Sequence, residues 1–304
     1  MALTYTGLSD ASSAGVLKTL WTDEIKTQFE EAPIAAGLFQ DMSGLLEDGA
    51  NTARIPIVKN FSLGMSDVAE DDLHRVDSET AQMSYVAVAL DAAKEKTVNF
   101  GGKWDKIYND LFRAEITKKL VNCAVTNYET VLMAAAASAS ANSAIDLTGD
   151  LWNTTLYPSN NDIIKQLTEA RKQFKVKNVP EQGRFWLIDP VLEQRLFGVF
   201  ASSDFSGNSL YPWVTGMIPT LLGYPVFVTN RLPTTTFSED TVTINMLCST
   251  FAMSEINKGF DLLLSPRSSH VNTNGITLEH YYGVDSLPDD GTSNYGIAKL
   301  YVTA

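Results

Sequence analysis

Histidine and acidic side chains are the first candidates for chemistry in this chain of 304 residues. None of His74, His270 and His280 has a cysteine or second histidine at the spacing of a zinc site, so each is interpreted as a surface or structural histidine. The acidic run 70–72 offers oxygen ligands for a cation, but such a run is usually a solvated loop tip. The sequence predicts no metal and no cofactor.

Asp189 and Glu193 are the acids best placed for a hydrolase. Asp189 precedes Pro190, which is the arrangement of a helix N-cap followed by a first helical proline. The chain has no Walker phosphate loop, no G-x-G-x-x-G and no G-x-S-x-G elbow. We interpret Asp189 as a cap and Glu193 as a solvated helix position, and we predict that the chain is not an enzyme.

The two cysteines, Cys123 and Cys248, fall in a helical segment and in an apolar strand. We expect both to be buried free thiols, as in a reducing cytoplasm. The N-terminal residues 1–13 lack lysine and arginine, which predicts no secretory signal. The most apolar runs, 131–137 and 217–228, are shorter than the ~18 residues of a membrane span, so the chain is predicted to be soluble.

Composition describes a globular but charge-poor chain. Apolar residues make up 44% and charged residues 19%, against roughly 25% charged in ordinary domains. A low charged fraction suggests that much of the surface faces other protein. The formal net charge of −13 gives no general attraction to DNA. Either an ordinary acidic protein or the wall of a DNA container has this balance.

The first hundred residues predict extended elements that need contact with another subunit. A polar arm at 1–15 leads into an amphipathic helix that ends before Pro33, and the apolar positions of this helix are Leu17, Leu20, Trp21, Ile25 and Phe29. Strands at 54–58 and 83–90 predict a long hairpin with an acidic tip. Pro56 favours an edge strand, and a hairpin of this length is marginal alone, so we expect a neighbouring subunit to cover it.

A long helix is predicted at 104–137, with an apolar stripe that lacks a strict heptad. A second helix has Ile163, Leu167, Ala170 and Phe174 on one face, and a buried strand at 184–188 precedes a helix to Leu196. The last third predicts strands at 242–248, 251–255, 260–264, 276–284 and 296–302. The expected turns lie at 257–259, 274–275 and 289–291.

In this order, three stretches carry a family resemblance: Arg184-Phe-Trp-Leu-Ile-Asp-Pro190, Leu221-Leu-Gly-Tyr-Pro-Val-Phe-Val-Thr-Asn-Arg-Leu-Pro233, and Met253-Ser-Glu-Ile-Asn-Lys-Gly-Phe260. The chain resembles the major capsid proteins of tailed bacteriophages, which share the Hong Kong 97 fold. The resemblance implies an α+β chain with an N-terminal arm at 1–51, an extension-loop hairpin at 52–99, and a peripheral domain with the spine helix at 100–150. An axial domain at 151–240 and return strands of both domains at 241–304 complete it.

The resemblance implies a structural protein that self-assembles into an icosahedral head shell around phage double-stranded DNA. Its expected partners are copies of itself in hexameric and pentameric capsomers, a separate scaffolding protein and a portal, with a decoration protein left open. The expected location is the virion, after assembly in the bacterial cytoplasm, with no membrane partner and no sequence-specific DNA binding. The residues expected at inter-subunit contacts are Trp21, Phe29, Arg54, Phe61, Glu70, Asp71, Asp72 and Arg75.

Some relatives form covalent lysine–asparagine links between subunits. Lys94, Lys96 and Asn294 have suitable chemistry, but nothing in their context marks them, so no link is predicted. Three alternatives remain open: an encapsulin-like nanocompartment shell, a motif-free α/β enzyme, and another virion protein such as a tail or decoration subunit.

Overall fold

The computed structural model describes residues 34, 37–46, 51–58, 83–90, 94–143, 145–146, 160–200, 218–237, 240–265, 273–288 and 293–303. Its α-helices are α1 (Gly102–Ala139), α2 (Asn160–Val176) and α3 (Pro190–Phe200). Short 3-10 helices occupy Ser43–Leu45 and Thr250–Ala252.

Thirteen strands are present in the described ranges. In chain order they are β1 (Gln40–Asp41), β2 (Thr52–Val58), β3 (Met83–Ala89), β4 (Lys94–Gly101), β5 (Ile145–Asp146), β6 (Arg184–Ile188), β7 (Thr220–Leu221), β8 (Tyr224–Val228), β9 (Thr234–Phe237), β10 (Asp240–Ser249), β11 (Met253–Ser265), β12 (Thr273–Ser286) and β13 (Ile297–Thr303).

These strands form three sheets. One has the order β1-β11-β12-β4, a second has β5-β13-β10-β6-β8-β7 with β9 on β10, and β2 pairs only with β3. The chain divides into two compact units. The smaller includes Lys96–Cys123 and Leu262–Leu278, and the larger includes Pro33–Glu95, Ala124–Asp261 and Glu279–Ala304.

The core of the larger unit has two layers around β6, all five residues of which are buried. Trp186 and Ile188 pack with α2 and α3, whereas Phe185 and Leu187 pack with α1. Because successive strand residues point to opposite faces, a strand covered by helices on both faces has no polar position. The apolar run that predicted a buried strand follows from this arrangement.

The long helix, the α2 face and the Asp189 cap are confirmed. Leu167, Ala170 and Phe174 are buried on α2, although the side chain of Ile163 lies outside the described set. The Leu192 N–H donates to Asp189 Oδ1 at 2.9 Å, and α3 continues to Phe200 instead of ending at Leu196.

Three predictions were wrong. The expected strands at 251–255 and 260–264 are one strand, β11, preceded by the 3-10 helix. Gly259 has φ +95° and donates its N–H to Asn257 Oδ1 at 2.9 Å, so the turn signal at 257–259 distorts the strand without reversing it. The Asn274-Gly275 pair likewise lies inside β12. Cys123 is exposed on α1, whereas Cys248 is buried.

Candidate subunit-interaction site

The ribbon formed by β2 and β3 has an inner face that packs on the chain itself. Ala53, Ile55 and Val88 are buried in a cluster with Ile256 of β11 and Leu287, which follows β12. The expectation that a neighbouring subunit covers the hairpin was therefore wrong for its root, which we define as Ala53, Ile55 and Val88, because the same chain covers these residues. The root packs on its own subunit through apolar contacts.

The opposite side of the ribbon is solvent-exposed. Pro56 pairs with Tyr85, and Arg54 pairs with Ala87, in the antiparallel register of the two strands. Tyr85 is 62% exposed and Met83 68% exposed, and the Arg54 guanidinium lies 5.1 Å from the centre of the Tyr85 ring. We call Arg54, Pro56, Met83 and Tyr85 the outer ribbon face. It is exposed, combines apolar side chains with one guanidinium group, and is backed by the buried inner face.

Gly283 of β12 sets how closely the ribbon approaches. A Cβ at this position would lie 2.2 Å from the Ala89 carbonyl oxygen, well inside van der Waals contact. The end of β3 thus lies directly on the backbone of β12, where any side chain would displace it.

Two buried carboxylates hold the segment that precedes β1. Glu129 of α1 is fully buried, accepts the Ile34 N–H at 2.6 Å, and forms an ion pair with Arg231. Glu255 of β11 accepts the Gly37 N–H at 3.1 Å and the hydroxyl hydrogen of Tyr128. We call Glu129, Glu255 and their partners the arm anchor, since they fix Ile34 and Gly37 within the predicted N-terminal arm.

Burial shifts the pKa of two groups in the arm anchor, Glu255 and Tyr128. It raises the pKa of Glu255 above its ordinary value of 4.5, against the opposing effect of the Tyr128 and Gly37 hydrogen bonds. Burial, followed by the hydrogen bond to Glu255, raises the pKa of Tyr128, so that hydroxyl stays a donor. Phe39 packs edge-to-face on Phe185, with ring centres 5.4 Å apart, and completes the attachment.

Of the residues predicted at inter-subunit contacts, Arg54 alone belongs to the described part of the chain, where it is exposed on β2. The other seven lie outside the described residues: Trp21, Phe29, Phe61, Glu70, Asp71, Asp72 and Arg75. Sequence reasoning missed Tyr85, Met83, Glu129 and Glu255. The available signal for the two acids was their apolar context, in Tyr128-Glu-Thr-Val-Leu132 and Met253-Ser-Glu-Ile256.

Asp189, one of the two acids best placed for a hydrolase, has a structural role. Asp189 caps α3, and its own N–H donates to Asn245 Oδ1 at 2.6 Å. Glu193 was expected to be solvated but is half-buried on α3, and this burial raises its pKa. Burial lowers the pKa of the nearby Arg195 to about 10.

His280 is a buried structural histidine, as one of the two interpretations held. Its Nε2 lies 3.2 Å from Asn257 Oδ1, its ring centre lies 4.3 Å from that of Phe260, and burial lowers its pKa. His74 and His270 lie outside the described residues. Within the described ranges, no three acidic, histidine or cysteine side chains converge as metal ligands would.

Asn294 also has a structural role. Its amide N–H donates to the Ala252 carbonyl at 2.6 Å, and its Oδ1 accepts the Gly296 N–H at 3.0 Å, in a buried site. Lys94 and Lys96 are exposed on β4. Among the helices that the structure describes, none is both long and apolar enough to cross a membrane.

Residues 103–291 match the family described as phage capsid protein. Solved structures share the fold over nearly the whole chain. The capsid structure of cyanophage P-SCSP1u matches with a TM-score of 0.72 and 16% identity, covering 95% of each chain. A structure of Mycobacterium phage Che8 matches with a TM-score of 0.68 and 16% identity, covering 92% of this chain and 95% of that one.

The capsid of Helicobacter pylori bacteriophage KHP30 matches with a TM-score of 0.68 and 12% identity over 100% of both chains. No curated protein matches the sequence. The chain belongs to the phage capsid protein family and has the Hong Kong 97 fold. It is a structural protein of the virion, a major capsid protein that forms the head shell as an oligomer.

Proposed function

We propose that the ribbon is the element by which each subunit grips a neighbour as the shell closes. The observation that carries this proposal is the contrast between the two faces of the ribbon. The inner face is buried on its own subunit, whereas the outer ribbon face exposes Tyr85 and Met83. Exposed aromatic and methionine side chains next to arginine have the composition of interface centres.

The rest of the predicted contact set extends this surface. Phe61, Glu70, Asp71, Asp72 and Arg75 belong to the same hairpin in the sequence, beyond the outer ribbon face. On this proposal, they contact the next subunit after the ribbon has crossed to it. Contacts that are weak one at a time become strong together, and weak single contacts let misplaced subunits leave before closure.

The shell is proposed to be icosahedral, built of hexameric and pentameric capsomers, and to enclose double-stranded DNA. A scaffolding protein, a portal and a decoration protein are its proposed partners, and the bacterial cytoplasm is the proposed site of assembly. Two free cysteines support a reducing compartment. The net charge of −13 supports a wall that packaged DNA does not adhere to.

Deletion of residues 62–78 tests the ribbon. We expect soluble capsomers or irregular aggregates in place of closed heads. The deletion removes the predicted tip of the hairpin and leaves strands β2 and β3 unchanged. Electron microscopy of particles made with the neighbouring viral genes provides the measurement. Normal closed heads from the deletion variant would contradict the proposal.

Point substitutions on the outer ribbon face give a finer test. Tyr85→Ser should reduce closed particles strongly, whereas Ala87→Ser, an exposed position on the same face nearer the root, serves as the matched control. Uniform small shells formed by the subunit alone around an enzyme cargo would instead favour a nanocompartment.

A further inference from the structure

A groove of about 330 Å³ lies between β4 and α1 in the smaller compact unit. Val98 of β4 forms one wall, and Ile116, Leu120 and Cys123 of α1 form the other. Residues spaced by three and four positions share one helix face, so the α1 wall is continuous. The surfaces that face the groove are almost wholly apolar.

The strand wall of this groove is held in place. Lys96 and Val98 lie on the same face of β4, whereas Thr97 points to the other side, where its Oγ1 lies 2.8 Å from that of Thr277. The strand also pairs with β12. The groove is therefore a preformed feature, and an apolar occupant would not need to open it.

One polar atom in the groove lacks a partner among the described residues. Glu115 lines the groove, and its Oε1 is enclosed without a hydrogen-bond donor. A buried carboxylate oxygen without a hydrogen-bond donor destabilises the folded subunit, and a donor on the occupant would remove this cost. The fitting occupant thus has apolar bulk, at least one N–H donor, and a carboxylate to meet the exposed Lys96 at the rim.

We propose that the amphipathic segment 17–29 of the same chain docks in this groove. Its apolar stripe of Leu17, Leu20, Trp21, Ile25 and Phe29 supplies the bulk. A cavity of about 150 Å³ holds one benzene, so this groove accepts two large side chains of the stripe. The segment lies outside the described residues, and the proposal rests on its sequence alone.

The polar groups of the segment match those of the groove. The Trp21 indole N–H is a donor only, and it satisfies Glu115 Oε1. Glu24 follows Trp21 by three positions, on the same side of a helix as the stripe, and its carboxylate is the proposed partner of Lys96 at the rim. A membrane or nucleic acid surface would offer neither the donor nor the apolar stripe at this spacing.

Attachment to the same chain favours docking within one subunit. Phe29 is five residues before Ile34, whose N–H donates to Glu129 of α1, and α1 also forms one wall of the groove. A segment attached by a short linker has an effective concentration in the millimolar range, which favours it over a neighbour's copy.

This assignment replaces, for Trp21 and Phe29, the inter-subunit contact predicted from the sequence. It does not depend on the proposed role of the ribbon, because it concerns the unassembled subunit. Failure of the ribbon experiments would leave it standing, and the reverse also holds.

Cys123 provides a native probe for the test, since Cys248 is fully buried. The full-length, unassembled subunit is compared with a Trp21→Asp variant, and the rate at which maleimide alkylates Cys123 is measured. We expect at least a tenfold faster reaction in the variant, because the charged side chain expels the segment from the groove. The matched control is Thr19→Asp on the opposite side of the segment, which should leave the rate unchanged.

Disulfide trapping then identifies the source of the occupant. Gln28→Cys lies on the stripe side, and Lys26→Cys lies on the other side as control. Mild oxidation of the Gln28→Cys variant should join the introduced thiol to Cys123 within one chain, seen as a monomer on non-reducing gels and by peptide mass spectrometry. Equal alkylation rates in wild type and Trp21→Asp would overturn the docking, and bridges found only between chains would overturn its intramolecular form.

Discussion

The buried ion pair between Glu129 and Arg231 joins parts of the chain that are 102 residues apart. The Glu129 side chain is fully buried and that of Arg231 is 12% exposed. Removing one partner of such a pair leaves an uncompensated charge, which costs far more than the intact pair contributes. The Ile34 N–H adds a third group to the same carboxylate, so the pair also positions the arm.

Arg231→Met should lower the free energy of unfolding by about 3–5 kcal/mol, because Glu129 would remain charged and buried. Urea denaturation of the unassembled subunit measures this loss. The double variant Glu129→Gln/Arg231→Met should recover most of it. Lys172→Met removes an exposed pair with Glu169, worth about 0–1 kcal/mol, and is the control. Equal losses in the single and double variants would show that packing, not charge, dominates.

Glu255 gives the molecule a pH dependence of stability with a definite sign. Burial raises its pKa in the folded state above the ordinary 4.5, so the folded state binds the proton more tightly than the unfolded chain. The resulting stability is fully present below pH 4.5 and is lost as pH rises through the folded-state pKa. Glu255→Gln should flatten this part of the curve of unfolding free energy against pH.

The matched control for that measurement is Glu169→Gln on the exposed side of α2. Its curve should follow that of the wild type. A Glu255→Gln curve that falls with rising pH as steeply as the wild type would refute the assignment to Glu255.

At the scale of elements, the contact between Gly283 and Ala89 ties the ribbon to the four-stranded sheet. An alanine Cβ at 283 would meet backbone, which cannot rotate away as a side-chain end can. The ribbon root must therefore shift, at a cost of about 1–3 kcal/mol for overpacking.

Gly283→Ala should reduce the hydrogen-exchange protection of the β2 and β3 amides and leave β6 protected. Gly44→Ala is the control, since a Cβ there meets nothing within 4 Å. Unchanged protection of the ribbon amides in Gly283→Ala would mean that the root is not held by this contact.

The sequence predicted elements best where a local pattern alone decides them. The apolar face of α2, the cap at Asp189 and the uninterrupted run at 184–188 each follow from spacing that one element dictates. The prediction of a turn at 257–259 was wrong. Asparagine and glycine favour a turn locally, but pairing along β11 keeps the strand extended. Tertiary context decided that case.

The candidate interaction site was harder to predict because tertiary contacts, and not local sequence patterns, determine it. Glu129 and Glu255 are charged residues at buried positions, and only the fold reveals that Arg231, Tyr128 and two backbone N–H groups surround them. The exposure of Tyr85 depends on which face of the ribbon packs on the subunit. Alternation gives two faces, but it does not say which of them is covered.

At the scale of the whole molecule, net charge determines how strongly the subunit attracts DNA and other subunits. A subunit with net charge −13 gains nothing from releasing DNA counterions over most of its surface. The same charge opposes the approach of subunits to one another, so we propose that assembly depends on short-range contacts such as those of the outer ribbon face.

We therefore expect the unassembled subunit not to bind a DNA duplex of about 30 base pairs at physiological salt. Fluorescence anisotropy should show no saturation up to about 100 μM protein, the weak end of non-specific binding. A titration at low salt is the internal control, because any residual attraction of basic patches would appear there first. Saturable micromolar binding at physiological salt would argue against a wall that repels its contents.

The separation of Glu129 and Arg231 along the chain also has a consequence during synthesis. Ribosomes add about 5–20 residues per second, so Arg231 emerges about 5–20 s after the acid it neutralises. Until then the Glu129 carboxylate lacks its ion-pair partner, so we expect the segment around Ile34 to reach its final packing only after Arg231 has been added.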